Sequence, residues 1–139
     1  VSDERPDLAA MLHPLLRALI AAEMPVLAEH DVSMWGYAVL TALDDTPVRT
    51  QAALAEAIGA DKSRIIGTLD ELQQAGLIDR TPDPNDRRVR LLSITLKGRR
   101  VRSAVRKGIR AAEDRLLATL PAADRETFLR AVRELYDAH

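Results

Sequence analysis

Residues 50–98 read TQAALAEAIGADKSRIIGTLDELQQAGLIDRTPDPNDRRVRLLSITLKG, and the spacing of their apolar positions changes partway along. Thr50 has the chemistry of an N-cap, Ala53, Leu54 and Ile58 make one inward face, and Gly59 is a stop. After a short gap Asp61 caps a second helix whose buried stripe is Ile65, Ile66, Leu69 and Leu72 and whose stop is Gly76. Two short helices joined by a tight glycine-containing turn predict a helix-turn-helix. The period then falls to two. Leu77–Thr81 and Arg88–Thr95 read as strands on either side of Pro82-Asp83-Pro84-Asn85-Asp86-Arg87, a charged, turn-rich tip. A hairpin in that place is a wing.

On the N-terminal side, Ser33 caps a helix through Tyr37, Val39, Leu40 and Leu43 that ends before the Asp44-Asp45-Thr46-Pro47 turn. Residues 7–29 carry Leu8, Met11, Leu12, Leu15, Leu16, Leu19 and Ile20 at helical steps; Pro6 suits the first turn, and Pro14 and Pro25 predict a kink or break near each. On the C-terminal side a long helix runs from Leu96 to Leu120, stopped by Pro121. A last helix carries Phe128, Leu129, Val132, Leu135 and Tyr136. The reading is one mainly α domain over 1–139 with a small β-hairpin wing, made of a winged helix-turn-helix lobe at 33–95 and outer helices at 6–30 and 96–139. The outer helices have apolar seams that a small winged lobe leaves uncovered. Packing against a second copy as a two-fold dimer is the economical solution, and folding back on their own chain is the alternative.

With 139 residues, 47% hydrophobic and 29% charged, the chain has the composition of one folded soluble domain. The absence of cysteine excludes disulfides, thiolate chemistry and cysteine zinc sites, and leaves sulfur redox sensing to Met. No run of about 18 apolar residues and no export signal is read in it, so a cytoplasmic protein without a membrane segment is expected. Val1 in place of Met is expected to mark a trimmed or processed start. The net charge of -1 hides a pattern: residues 1–61 hold three Lys/Arg against ten Asp/Glu, residues 62–107 twelve against five, and residues 108–139 five against six. A compact basic segment in an otherwise acidic chain suits phosphate binding, through release of condensed counterions. Seventeen of its twenty basic residues are Arg, which can fork onto phosphate or a guanine edge. A GC-rich coding bias explains the Arg:Lys ratio as readily, but explains the clustering poorly.

Thr50–Gly98 resembles the winged core of the MarR (multiple antibiotic resistance regulator) family. The resemblance rests on Asp83-Pro84-Asn85-Asp86-Arg87-Arg88 followed by Leu92, Thr95 and Gly98, on the Asp61-Lys62-Ser63 opening, and on Leu72 with Gly76-Leu77. It implies a homodimer that presents two recognition helices and two wings to double-stranded DNA. It further implies a repressor acting on a pseudopalindromic operator, and a cleft receptive to a small aromatic or phenolic effector. Members often carry Thr then Arg where this chain has Ile66 and Gly67, so an operator sequence does not transfer.

A recognition helix reads the major groove with its first turns. Arg64 is the candidate for base edges, Lys62 and Ser63 for phosphates, with Thr68, Thr50 and Gln51 completing the DNA-binding set. At the wing, Arg87 or Arg88 is expected at the minor groove, Arg88 being favoured by the resemblance, while Asp86 supports the tip by accepting hydrogen bonds. Of the following basic run, only Lys97, Arg99 or Arg100 is expected near phosphate. His13, Arg17, Met34, Trp35 and Tyr37 are the candidates for an effector pocket, against the simpler reading that they are core. No metal site or cofactor is expected. No enzyme is expected either, because the chain lacks a nucleophile elbow, a P-loop, a dinucleotide fingerprint and a zinc-protease motif. A winged module that binds protein and has lost DNA reading is the other class, with Gly67 in its favour and the basic wing against it.

Overall fold

The computed structural model describes residues 4–139. Val1, and with it the reading of a processed start, lies outside the described residues. The described residues form six helices and three strands: α1 (Leu8–Glu29), α2 (Met34–Asp45), β1 (Arg49–Thr50), α3 (Gln51–Ile58), α4 (Lys62–Gln74), β2 (Ile78–Asp83), β3 (Asp86–Ile94), α5 (Leu96–Leu117) and α6 (Ala122–Asp137). They divide into two compact units, Met24–Lys107 and the residues up to Glu23 together with Gly108–His139. The division falls inside α1 and α5, so each long helix contributes to both units.

In the unit Met24–Lys107, side-chain caps start the helices. Ser33 Oγ accepts from the Gly36 N–H at 2.9 Å, Thr50 Oγ1 from Ala53 at 3.2 Å and Asp61 Oδ1 from Arg64 at 2.8 Å. Gly59 (φ 70°) ends α3 in the left-handed region, where a side chain would be strained. One core joins the apolar faces: Val39, Leu40 and Leu43 of α2, Leu54 of α3, Ile65, Leu69 and Leu72 of α4, and Leu77, Ile78, Leu92 and Ile94 of the wing base.

The sheet is antiparallel, in the order β1-β3-β2. Two features extend the reading of the wing. Strand β1 is two residues long, too short for periodicity to reveal, and pairs Arg49 with Leu92 and Thr50 with Leu91. The hairpin strands also run further than expected, to Asp83 and from Asp86, leaving Pro84-Asn85 as the tip. Pro82 is tolerated opposite Arg90 because β2 is an edge strand, and the register shifts beside it.

Three helix boundaries differ from expectation. The backbone of α1 continues through Pro14 and Pro25 without a break, each proline forfeiting one intrahelical bond that its neighbours outlast. Helix α2 extends through Asp44 and Asp45, which are therefore helical and not turn residues. Helix α5 stops at Leu117 and not at Leu120, whose N–H closes a turn onto Leu117 O at 3.0 Å just before Pro121. By length and composition alone, α1 is long and apolar enough to cross a membrane, which corrects the expectation that no such segment exists. In the helical unit, Ile109 and Ala112 are buried, whereas α6 buries none of its residues.

Candidate nucleic-acid interface

Helix α4 leads with three solvent-facing residues, Lys62, Ser63 and Arg64, set by the cap at Asp61. The Asp61 carboxylate accepts the Arg64 backbone N–H and the Ser63 hydroxyl, the latter at 2.9 Å. These two bonds, the backbone one foremost, hold its pKa below the ordinary carboxylate value. The guanidinium carbon of Arg64 lies over the Trp35 ring, 5.8 Å from its centroid. Two residues on, Ile66 is exposed and so does not belong to the buried stripe expected of it, and a Cβ added at Gly67 would meet nothing within 4 Å.

Thr68 does not join this set. It is 9% exposed, and its hydroxyl donates to Arg64 O at 3.2 Å. Its position, four residues after Arg64 on the stripe of Ile65, Leu69 and Leu72, turns it inward, away from the exposed Lys62, Ser63 and Arg64. Thr50 and Gln51 are half-buried at the start of α3, and the Thr50 hydroxyl is engaged as the cap.

At the wing, Arg87 and Arg88 are both exposed, the Arg88 side chain at 92%. Asp86 Oδ1 accepts from the Arg88 backbone N–H at 3.1 Å and from Arg88 Nε at 3.3 Å, and Asp83 Oδ1 accepts from the Asn85 N–H at 2.9 Å. The tip is thus held by its own carboxylates. Arg90, absent from the expected set, is exposed two residues beyond Arg88 on the same strand. The alternation Arg88-Val89-Arg90 carried that signal, since strand residues two apart share a face.

Several other cations serve the scaffold. Arg80 of β2 bonds Asp70 and Gln73 of α4, tying wing to recognition helix. Lys97 Nζ donates to Ala75 O at 2.9 Å, and Arg99 pairs with Asp44 at 2.6 Å, so two of the three residues expected near phosphate hold α5 against α4 and α2. Arg102 reaches the other oxygen of Asp44 at 3.1 Å. Arg100 is exposed. Of the pocket candidates, His13 and Arg17 are exposed in the helical unit, and Met34, Trp35 and Tyr37 belong to the other, where Tyr37 packs against the core.

A helix-turn-helix whose second helix leads with Lys62-Ser63-Arg64, carried on one unit with an arginine-tipped hairpin, defines the winged helix-turn-helix class of DNA-binding proteins. The MarR family model matches residues 32–89. Transcriptional regulator HosA of Escherichia coli O111:H- is 30% identical over 108 residues, covering 78% of this chain and 80% of its own. The chain belongs to the MarR family of transcriptional regulators. Among solved structures, the transcriptional repressor CouR bound to a 23-mer DNA duplex superposes with a TM-score of 0.81 at 27% identity, over 94% of this chain and 92% of that one. The regulator PcaV of Streptomyces coelicolor, in complex with its natural ligand, gives 0.70 at 31% identity, over 96% and 97%.

Proposed function

We propose that the protein binds a pseudopalindromic operator in double-stranded DNA as a homodimer and represses transcription until a small molecule releases it. The observation that carries this reading is the presence on one compact unit of the cap-ordered Lys62-Ser63-Arg64 turn and the exposed Arg87, Arg88 and Arg90 of the wing. In this reading the cations and helix N–H groups of the first meet a major groove, and the arginines of the second meet the backbone or the adjacent minor groove. The DNA complex of CouR supports the same use of the fold.

Dimerisation rests on the helical unit. Leu8, Met11, Leu12, Leu15 and Leu16 of α1 and Phe128, Leu129, Val132, Leu135 and Tyr136 of α6 are exposed in the single chain. Covering them with a second copy removes a large apolar surface from water and sets two recognition helices on one duplex, with half-sites one helical turn, about 34–36 Å, apart. An effector that changes that separation changes affinity, because a dimer with one spacing matches one operator. The ligand complex of PcaV supports this mode of control; an aromatic or phenolic compound is the class proposed. Such a regulator works where the chromosome is, in the cytoplasm.

The test is protection of the DNA upstream of its own coding sequence by the purified protein, followed by a screen for compounds that abolish protection. A discrete, two-fold-related footprint lost at higher salt is expected. Uniform, sequence-blind retention of duplex, or none in dilute buffer, would overturn the reading.

A further inference from the structure

We propose that Trp35 is the positioning residue for Arg64, holding its guanidinium at the start of the recognition helix in the attitude that contacts DNA. The inference rests on the DNA-binding function proposed above. An arginine on an exposed helix turn loses much rotamer freedom when it fixes on a base or phosphate, and that cost is smaller if the free protein already confines it. Here the cap at Asp61 takes the Arg64 backbone N–H, and its carboxylate has no hydrogen bond with the Arg64 guanidinium. The side chain lies instead on an indole: Arg64 Cζ is over the Trp35 ring at 5.8 Å from the centroid, within cation–π range. An aromatic face suits the task better than a carboxylate. A cation–π contact uses none of the guanidinium N–H donors in hydrogen bonds, whereas a carboxylate would occupy them and repel phosphate.

Trp35 is itself held. It is half-buried in the first turn of α2, next to Gly36, whose N–H is bonded to the Ser33 cap at 2.9 Å. Gly36 in turn sits tightly against the neighbouring core, an added Cβ meeting Val32 Cγ1 at 3.2 Å and Leu72 Cδ2 at 3.4 Å. The indole is thus mounted on the element packed behind α4. On the other side of Arg64, Gly67, three residues along the helix, presents no side chain to restrain it. Trp35 supplies the confinement that the recognition helix itself omits.

The experiment is a double-mutant cycle on the full chain with a fluorescently labelled operator duplex. It uses Trp35→Leu, Trp35→Phe, Arg64→Ala and the Trp35→Leu/Arg64→Ala pair, with thermal melting of each variant. Trp35→Leu is expected to weaken operator binding about two- to fivefold per half-site. It should also relax the preference at the base pair that Arg64→Ala relaxes, and do nothing further in the Arg64→Ala background; Trp35→Phe should restore most of the loss. Because Trp35 is the sole tryptophan, Arg64→Ala should also change its emission and its quenching by iodide in the free protein. This second measurement decides the matter should Trp35→Leu melt early. Additive losses in the cycle, or emission indifferent to Arg64→Ala, would overturn the positioning role while leaving DNA binding standing. Wild-type protein that bound no duplex would instead overturn the proposed function, and this role with it.

Discussion

An ideal Cβ on Gly98 would stand 2.1 Å from Leu77 O and 2.8 Å from Ile94 Cγ1, whereas one on Gly67 would meet nothing within 4 Å. The two glycines therefore respond oppositely to alanine. Gly98→Ala must displace backbone and is expected to cost about 1–3 kcal/mol or more, read as a fall in the urea midpoint at constant slope. Gly67→Ala relieves a helix interior of its poorest ordinary residue and should add about 1 kcal/mol. A destabilised Gly67→Ala would mean that the helix needs backbone freedom there. At Asp61 the lowered pKa carries a sign: its contribution is complete above the ordinary value of 3.8 and is lost as pH falls through the lower folded value. Asp61→Asn keeps an acceptor for the Arg64 N–H, so its thermal stability should change less with pH across that acid range than the wild type's. The three cap positions were legible because capping is local chemistry. The inward position of Thr68 was not legible, because which side of α4 is covered depends on elements distant in sequence.

Between elements, charge pairing repairs what local preference disfavours. Asp44 sits in the last turn of α2, where the helix dipole opposes an anion, and it is matched there by Arg99 and Arg102 of α5. The Arg102 side chain is only 14% exposed and its Nε has no partner, so Asp44→Asn leaves a largely buried cation poorly compensated. A loss of about 1–3 kcal/mol is expected by denaturant titration, and a neutral result would show that the pair is solvated. In the helical unit, partial burial is the first cause raising the pKa of Glu23, the Glu113 charge adds to it and Arg110 opposes it. The protonated form is favoured by the fold, so this group's contribution is complete below the ordinary value of 4.5 and is lost as pH rises through the folded value. Glu23→Gln should therefore be more stable than wild type at neutral pH, with the advantage vanishing toward pH 4. At the wing, Arg88→Ala should reduce the slope of log affinity against log salt by about 0.9 per half-site, and an unchanged slope would remove Arg88 from the phosphate or groove contacts.

For the molecule as a whole, the exposed seam of α6 is the testable surface. Leu129, Val132 and Leu135 are 49%, 44% and 63% exposed, so a glutamate at Leu135 meets no core in the single chain. Leu135→Glu is expected to leave the melting of isolated subunits intact, convert the sedimenting species to a monomer, and weaken operator binding by about 10²-fold or more as the second half-site is lost. A wild type that sediments as a single subunit would overturn the proposed dimer, and a Leu135→Glu variant that sediments like a dimeric wild type would remove this seam from it.

The order of the elements, the three capped helices, the glycine stops and the existence of a wing were written in residues that lie within a few positions of one another, where capping, periodicity and turn chemistry act. The basic segment was equally visible, as a local excess of charge. Tertiary packing alone decided which arginines tie elements together and which face solvent: Arg80, Arg99 and Arg102 find carboxylates on other elements, while Arg88 and Arg90 are exposed on one face of β3, Arg88 beside its own hairpin's Asp86. It also decided that Trp35 meets Arg64 and that two residues before α3 form a strand. Each of these pairings joins positions far apart in the chain, and such contacts depend on where the core brings the elements together.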